Sequence, residues 1–321
     1  MAAVSVVVPT RNRSRLLERM MWALAAQEPT SPFDVVVVDD ASTDGTPDLL
    51  AALASRLPFP LTVVRNGTRL GPGPARNAGW RAAEGQQICF TDDDCQPTPA
   101  WVSRLTAALD DADIAQGVTL PNPAERDRWG PFSHTVEITT ESGFYETCNI
   151  AYRRSWLEAL GGFDSTYGYY CEDTDLAWRA RARGARTRFV SDAVVHHHIS
   201  PSDLGAHLRS LARRPGLVQL VRRHPATRSI LAGRWYQHRT HPPALLVGAT
   251  LTAAALHPRS GTRWAAAGAS LVWYARRCVC SRKSPPRARQ WLATLPLALV
   301  ADWAEIAVLA VASARERTLV L

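Results

Sequence analysis

Short, uniformly apolar runs rich in valine alternate with longer segments of helical spacing through the first 95 residues. The apolar runs occupy residues 4–8, 35–38, 61–64 and 88–91, and helical spacing is found over residues 13–27, 47–57 and 75–84. Strands that are apolar on both faces are typical of a parallel sheet that is covered by helices on both sides. The sequence therefore predicts an α/β fold with a mainly parallel central sheet.

Polar residues follow three of these predicted strands at the point where each strand ends. They are Pro9, Thr10 and Arg11 after the first strand, Asp39 and Asp40 after the second, and Asp92, Asp93 and Asp94 after the fourth. Ligands of open α/β sheets bind at the carboxyl ends of the strands. We therefore expect these side chains to line one crevice.

The three consecutive aspartates, Asp92, Asp93 and Asp94, need a compensating charge. Adjacent carboxylates repel one another and raise one another's proton affinity unless a cation or several donors are close. Oxygen ligands of this kind suit Mg²⁺ or Mn²⁺, which commonly also contact a phosphorylated substrate. The alternative is an acidic turn that caps the following helix.

Composition limits the class of protein. The 321 residues are 46% hydrophobic, enough for a full core, and the net charge of +8 arises mainly beyond about residue 180. The first 150 residues show no basic stripe, so the basic half favours a membrane over nucleic acid as partner. The six cysteines lack paired zinc spacing, and the chain begins with a strand instead of a signal peptide, which together predict reduced thiols and a cytoplasmic location.

The order of motifs resembles that of family 2 nucleotide-sugar glycosyltransferases with the GT-A fold. The motifs are Pro9-Thr10-Arg11-Asn12, Asp39-Asp40-Ala41-Ser42, Ala75-Arg76-Asn77, Asp92-Asp93-Asp94, Cys148-Asn149-Ile150-Ala151, Gly161-Gly162-Phe163-Asp164 and Glu172-Asp173-Thr174-Asp175. The resemblance implies a catalytic domain over residues 1–203. Its residues 1–95 would bind the nucleotide sugar, and residues 96–203 would bind the acceptor.

The resemblance also implies roles in donor binding. Asp40 would hold the nucleotide base, Asp92 would approach the ribose or the sugar, and Asp94 would bind the divalent metal. Asp93 would be a spare carboxylate of the same cluster. The border of the nucleotide pocket would be formed by Pro9, Thr10, Arg11 and Arg76. Arg76 could instead have a structural role by pairing with Asp40 or Asp44.

A base is also required, because an alcohol is a poor nucleophile until its proton is being removed. Glu172 and Asp173 follow a tyrosine-rich loop and stand at the predicted start of a helix, where the helix dipole favours ionised carboxylates. By the resemblance, Asp173 is the base and Glu172 is the reserve. The alternative is an ordinary acidic first turn.

Three histidines, His196, His197 and His198, follow an apolar run at residues 193–195. The alternation of a strand places His196 and His198 on one face and His197 on the other. The spacing from the strand favours His196 as a further metal ligand, with His198 as the next candidate. A structural histidine is the alternative.

The remaining chain changes in character. Residues 204–240 begin with a basic amphipathic pair of helices that is broken at Pro215, and residues 241–321 form an apolar helical region that is predicted to associate with a membrane. Residues 244–256 and 264–275 are too short to span a bilayer alone, whereas residues 291–312 are long enough but contain Asp302 and Glu305. The basic loop 276–289 would stay on the cytoplasmic side. Burial inside the protein is the alternative.

These observations predict an inverting, metal-dependent glycosyltransferase that moves a sugar from a nucleoside-diphosphate sugar to a hydroxyl. The location predicts a lipid-linked or cell-envelope glycan as the acceptor, and no nucleic acid partner. One alternative is a non-catalytic nucleotide-binding scaffold at the membrane. The other is a nucleotidyltransferase, although the first strand is not followed by the glycine-rich loop and lysine that such an enzyme needs.

Overall fold

The computed structural model describes residues 3–281 and 288–321 of the chain. These residues divide into two compact units. The first unit comprises Met1–Asp127 and Thr135–Ile199, and the second comprises Arg128–His134 and Ser200–Leu321. The domain boundaries inferred from the sequence stay a prediction.

The first unit contains a single eight-stranded sheet and six helices among its described residues. The strands are β1 (Val4–Thr10), β2 (Phe33–Asp39), β3 (Leu61–Arg65), β4 (Gln87–Thr91), β5 (Cys95–Pro97), β6 (Ile114–Pro121), β7 (Asn149–Arg153) and β8 (Thr187–His197). The helices are α1 (Ser14–Ala25), α2 (Thr46–Leu53), α3 (Pro72–Ala82), α4 (Trp101–Ala108), α5 (Arg154–Leu160) and α6 (Glu172–Ala182).

The sheet is parallel over the strands that carry the predicted site. The strand order is β3-β2-β1-β4-β7-β6-β8-β5. β1 pairs in parallel with both β2 and β4, whereas β7 runs antiparallel to its neighbours β4 and β6. This topology confirms the predicted α/β fold, and it places the ends of β1, β2 and β4 at one edge of the sheet.

Both faces of the sheet are covered, as the valine-rich strands predict. In β1, the buried side chains of Val6 and Val8 belong to the core on the α1 side, whereas Val7 belongs to a second core that includes Trp80 of α3. All three valines are fully shielded from solvent. Uniformly apolar strands are therefore explained by burial on two sides rather than by alternation.

One local element differs from the prediction. The spacing of apolar residues predicts a helix from residue 75, but α3 already begins at Pro72. Proline is tolerated in the first helical turn because the N–H groups of that turn have no acceptor within the helix. Gly71 precedes the helix with φ of +96°, a conformation that other residues adopt at a cost.

The second unit is helical. Its helices are α7 (Leu204–Ser210), α8 (Pro215–Arg223), α9 (His241–Leu256), α10 (Gly261–Ser281) and α11 (Ala288–Glu316). The predicted pair of helices over residues 204–223 is confirmed as α7 and α8, with Pro215 as the first residue of α8. A core formed by α9, α10 and α11 includes Val247, Tyr274 and Leu299.

Part of α11, Ala293–Glu316, is long and apolar enough to cross a membrane, and 39% of its apolar stretch is buried within the protein. The two carboxylates that interrupt it have partners in the unit. Tyr274 donates a hydrogen bond of 2.9 Å to Asp302, and Arg214 lies 2.6 Å from Glu305. Residues 282–287 of the predicted basic loop lie outside the described residues.

The packing of α3 on the sheet generates a prediction. Gly79 faces β1 and β2 so closely that an added methyl group would collide with Cγ1 of Val7 and lie 3.1 Å from Cγ2 of Val38. We expect Gly79→Ala to lower the free energy of unfolding by about 1–3 kcal/mol, because the core has no room for the extra carbon. Urea unfolding measures this change. Gly45→Ala is the control, since no atom lies within 4 Å of the added carbon there; equal stability of the two variants would contradict the packing explanation.

Candidate active site

The middle aspartate of the cluster joins the ends of two strands. Thr10, the last residue of β1, donates a hydrogen bond of 2.7 Å from Oγ1 to Asp93 Oδ2. Arg13 Nη1 lies 2.8 Å from Asp93 Oδ1 and 2.7 Å from Asp94 Oδ2. Asp93 is buried, and this burial raises its pKa to about 6 although the charge of Arg13 opposes the shift. Asp93 is therefore not a bystander in the structure, because it fixes the end of β1 against the cluster.

Arg13 is a site residue that the sequence reasoning missed. It is the residue immediately before α1, which places it at the same edge of the sheet as Thr10. The resemblance assigns Pro9, Thr10 and Arg11 of this segment to the nucleotide pocket, but not Arg13. The available signal was an arginine close to a strand end, opposite a cluster that needed a cation.

Arg76 connects two parts of the predicted site. Its buried guanidinium donates through Nη2 to Asp92 Oδ1 at 2.7 Å and through Nη1 to Glu172 Oε1 at 2.9 Å. Its partners are thus Asp92 and Glu172, and the alternative pairing with Asp40 or Asp44 is wrong. Because Arg76 lies in the first turns of α3, the helix start brings the donor cluster and the predicted base together.

Asp40 holds the loop that leads into α3. Its Oδ1 accepts hydrogen bonds from Asn66 Nδ2 at 2.8 Å and Leu70 N at 2.9 Å, and its Oδ2 accepts one from Gly71 N at 2.9 Å. Contact with the nucleotide base stays a prediction for this residue. The structure shows that the carboxylate already organises one wall of the crevice.

Asp39 has spare hydrogen-bonding capacity next to Asp40. Its Oδ1 accepts a hydrogen bond of 2.8 Å from Ser42 N, whereas its buried Oδ2 has no hydrogen-bond partner among the described residues. Arg65 Nε lies 3.5 Å from that oxygen. The Nε of the predicted pocket residue Arg11 is also buried without a hydrogen-bond partner there, and Pro9 lies within β1. Both polar atoms are shielded from solvent near the strand ends.

The two candidate bases begin α6, as predicted. Cys171 precedes the helix in a left-handed conformation, with φ of +71°, and Glu172, Asp173 and Asp175 stand in the first turn. Asp173 Oδ1 accepts a hydrogen bond from Thr174 N at 2.8 Å, and its Oδ2 accepts a longer one of 3.3 Å from Thr147 N. Glu172 is instead bound to Arg76. Asp173 is therefore held by backbone hydrogen bonds, whereas Glu172 is held by the charge of Arg76.

Burial raises the proton affinity of both carboxylates. The pKa of Glu172 is raised to about 7 by burial and by the nearby charge of Asp173, although Arg76 opposes the shift. The pKa of Asp173 is also raised by burial, with Arg76 and backbone hydrogen bonds opposing it. A carboxylate with raised pKa accepts a proton more readily near neutral pH than a solvated one does.

The structure favours His197 over His196 as a neighbour of the aspartate cluster. His197 Nε2 lies 3.6 Å from Asp94 Oδ1, and its Nδ1 lies 2.8 Å from the carbonyl oxygen of His198. A proton on Nδ1 for that contact leaves the Nε2 lone pair facing Asp94. Alternation along β8 puts His197 on the same face as the buried Ala193 and Val195, and places His196 on the other.

The other two histidines have different surroundings. His196 is paired with Gln96 across the strands β8 and β5, and burial lowers its pKa. His198 Nδ1 lies 2.6 Å from Glu125, which also accepts a hydrogen bond from Ile199 N. The choice of His196 as a metal ligand, with His198 as next candidate, stays a prediction, and the histidine that lies near the Asp94 carboxylate is His197.

The ligand atoms of Asp94, Cys95 and His197 lie within 4.8 Å of one another. Burial and Cys148 raise the pKa of the Cys95 thiol well above its usual range, and sulfur is a softer ligand than the oxygens that Mg²⁺ and Mn²⁺ prefer. The carboxylate oxygen of Asp94 and the imidazole nitrogen of His197 remain as metal ligands. This set fits a divalent ion such as Mn²⁺ that completes its shell with diphosphate oxygens and water.

The raised pKa of Glu172 predicts a pH dependence of stability. A carboxyl group whose pKa is higher in the folded state binds extra protons on folding, so its contribution to stability falls as pH rises from about 4.5 to about 7. We expect Glu172→Gln to lose less unfolding free energy than the parent protein between pH 5 and pH 7, measured by urea unfolding without metal or nucleotide. The control is Glu158→Gln, which changes an exposed carboxylate; a parent-like slope for Glu172→Gln would contradict the assignment.

Comparisons with known proteins agree with the geometry. Residues 5–161 match the model for glycosyl transferase family 2, and residues 88–303 match the model for glycosyl transferase family group 2. The chain is 26% identical over 209 residues to glycosyltransferase AglE of Haloferax volcanii, covering 62% of this chain and 67% of that protein. It is 30% identical over 210 residues to the pre-mycofactocin glycosyltransferase of Mycobacterium tuberculosis, covering 60% of this chain and 42% of that protein.

Chondroitin synthase of Pasteurella multocida is 27% identical over 241 residues, which is 62% of this chain but 25% of that protein. The chain thus covers less than half of the length of two of these three relatives.

Solved structures resemble the chain in fold. The mannosyltransferase PcManGT of Pyrobaculum calidifontis, in complex with GDP-Man and Mn²⁺, has a TM-score of 0.60 at 24% identity, with coverage of 96% of this chain and 86% of that one. TarS 1-349 of S. aureus in complex with UDP-GlcNAc has a TM-score of 0.54 at 19% identity, with coverage of 98% and 92%. These similarities confirm the predicted GT-A architecture. Since the model for glycosyl transferase family group 2 matches more than half of the residues, the chain belongs to that family.

Proposed function

We propose that the protein is an inverting, metal-dependent glycosyltransferase that moves a sugar from a nucleoside-diphosphate sugar to a hydroxyl group of an acceptor. The observation that carries the proposal is the buried Arg76 guanidinium, which contacts both Asp92 of the donor cluster and Glu172 beside the base. A displacement needs its leaving-group site and its base on either side of one reacting carbon. The Arg76 bridge supports that arrangement.

Donor binding is assigned to the ends of β1, β2 and β4. The second-strand carboxylate Asp40 contacts the base, Asp92 approaches the ribose or the sugar, and Arg11 and Arg76 border the diphosphate. The structural neighbours with GDP-Man and with UDP-GlcNAc support a nucleotide sugar as donor.

Asp94 and His197 would hold the divalent ion. When bound, the ion neutralises the charge that develops on the departing nucleoside diphosphate. Arg13 contacts Asp94 in this structure, so its guanidinium and the ion compete for the same carboxylate. The Mn²⁺ in the PcManGT complex supports this assignment.

Asp173 is the proposed base, and Glu172 is the reserve. Asp173 removes the proton from the acceptor hydroxyl as the oxygen attacks the anomeric carbon, and the carbon–oxygen bond to the diphosphate breaks on the opposite side. A single displacement of this kind inverts the configuration. The hydrogen bonds from Thr174 N and Thr147 N keep the carboxylate of Asp173 oriented.

The acceptor is proposed to be a lipid-linked or cell-envelope glycan at the cytoplasmic side of the membrane. The supporting observation is the number of large apolar side chains that are exposed on α9, α10 and α11. They include Leu246, Leu256, Trp264, Val272, Val300 and Val311. Exposed apolar groups at this density are typical of a surface that contacts a membrane or another protein.

Two substitutions test the reaction. Asp173→Asn is expected to lower kcat by about 10²–10⁴-fold while leaving donor binding nearly unchanged, because the amide cannot accept the proton. Asp94→Ala is expected to abolish transfer and to weaken metal-dependent donor binding. Transfer is measured with a panel of nucleotide sugars in Mg²⁺ and Mn²⁺, and donor binding by calorimetry. Full activity of Asp173→Asn would refute the base assignment.

Membrane association is tested by flotation of the full chain with vesicles that contain anionic lipid. We expect the protein to float with the vesicles, and expect the double variant Leu246→Glu, Val272→Glu to remain at the bottom of the gradient, because both changes put charge on the exposed apolar surface. Leu70→Glu is the control, since Leu70 is equally exposed but lies in the first unit. Failure of the parent protein to float would overturn the membrane assignment.

A further inference from the structure

Two histidines and one glutamate meet inside the second unit, at a place that the proposed reaction does not use. Glu305 lies in the middle of α11, His241 is the first residue of α9, and His238 lies three residues before it in a turn. Glu305 and His241 are buried, with relative exposures of 2% and 0%, whereas the side chain of His238 is 47% exposed. Their ligand atoms all lie within 4.8 Å of one another.

The distances in this cluster are too long for hydrogen bonds. Glu305 Oε2 lies 3.6 Å from His238 Nε2 and 3.8 Å from His241 Nε2, whereas N–H···O hydrogen bonds span about 2.7–3.2 Å. Both ring nitrogens of the buried His241 lack a hydrogen-bond partner among the described residues. A fully buried imidazole that faces a carboxylate without bonding to it indicates a missing group between them.

The same distances suit three ligands of one metal ion. With bonds of about 2.0–2.2 Å, two ligands of a tetrahedral zinc ion stand about 3.3–3.5 Å apart. The observed separations exceed this by a few tenths of an ångström. A small rotation of the exposed His238 ring would shorten its own distance, whereas the distance to the buried His241 requires a shift of a few tenths of an ångström within the core.

Arg214 contributes to the choice of ion. Its Nε lies 2.6 Å from Glu305 Oε1, so the carboxylate is turned with Oε2 toward the two histidines. Holding a metal ligand in place through its second oxygen is a common outer-shell role. The arginine also cancels most of the attraction that the carboxylate exerts on a hard cation. Affinity must then come from the imidazole nitrogens, which favours Zn²⁺ over Mg²⁺ or Ca²⁺.

We propose that His238, His241 and Glu305 form a zinc site that fastens the start of α9 to the middle of α11. The fourth position is open to water on the exposed side of His238. The site is separate from the Asp94 and His197 pair, which lies in the first unit. Its function is structural, because it gives the buried Glu305 and His241 a common partner within an otherwise apolar group of helices.

The experiment measures metal binding by the full chain. The protein is stripped with chelator and titrated with Zn²⁺ against a chromophoric competitor, and with Co²⁺, whose visible spectrum reports nitrogen and oxygen ligation. The Asp94→Asn background removes the first-unit metal ligand. We expect about one zinc ion per chain to bind in this background. We also expect the ion to raise the Tm.

Three variants in the same background locate the ion. His241→Ala, Glu305→Gln and the surface change His238→Ala are each expected to weaken zinc binding by more than about 100-fold, since even outer-shell changes cost 10- to 100-fold. The matched control is His257→Ala, which removes an exposed histidine just after α9 and should keep parent-like affinity. His238→Ala keeps the test valid if a buried change prevents folding.

Two results would overturn the proposal. One is no zinc binding by the Asp94→Asn chain, which would make the cluster an ion pair of Glu305 with Arg214 and nothing more. The other is parent-like zinc affinity in His238→Ala and His241→Ala, which would place the ion elsewhere. Neither result bears on glycosyl transfer, which is tested through Asp94 and Asp173.

Discussion

The buried guanidinium of Arg76 is the group on which the arrangement of the proposed catalytic residues depends. It is the common partner of Asp92 and Glu172, which are 80 residues apart in the chain. Removing a charge from water is costly unless its partners are well placed, and breaking one member of a buried ion pair leaves the other uncompensated. The start of α3, the end of β4 and the start of α6 are thereby held to one relative position.

The negative charges of the three consecutive aspartates are compensated by two different arginines. Arg76 forms an ion pair with Asp92, whereas Arg13 forms ion pairs with Asp93 and Asp94. The sequence alone suggested a metal ion as the compensating charge. The structure adds two arginines, and an ion bound at Asp94 would share that carboxylate with Arg13, which contacts Oδ2 while Oδ1 faces His197. Asp93, with a raised pKa and a hydrogen bond from Thr10, supports the architecture of the cluster.

In the second unit, carboxylates within an apolar helix are also compensated by partners elsewhere in the unit. In the sequence, Asp302 and Glu305 read as interruptions of a possible membrane-spanning segment. In the structure each has a partner on another helix or turn, Tyr274 and Arg214 respectively. Carboxylates in an apolar helix are therefore compatible with packing against protein on one side and apolar exposure on the other.

The sequence by itself determined the local elements and the set of acidic residues at the strand ends. Hydrophobic periodicity is a local property, so the strands around Val6 and Val36 and the start of α6 at Glu172 were predictable from neighbouring residues alone. The tertiary structure decided which charges meet. The choice of His197 over His196 depends on which face of β8 is turned toward Asp94, and the pairing of Arg76 with Glu172 joins residues 96 positions apart. Such contacts follow from the strand order and the packing of helices on the sheet, which no local pattern in the chain encodes.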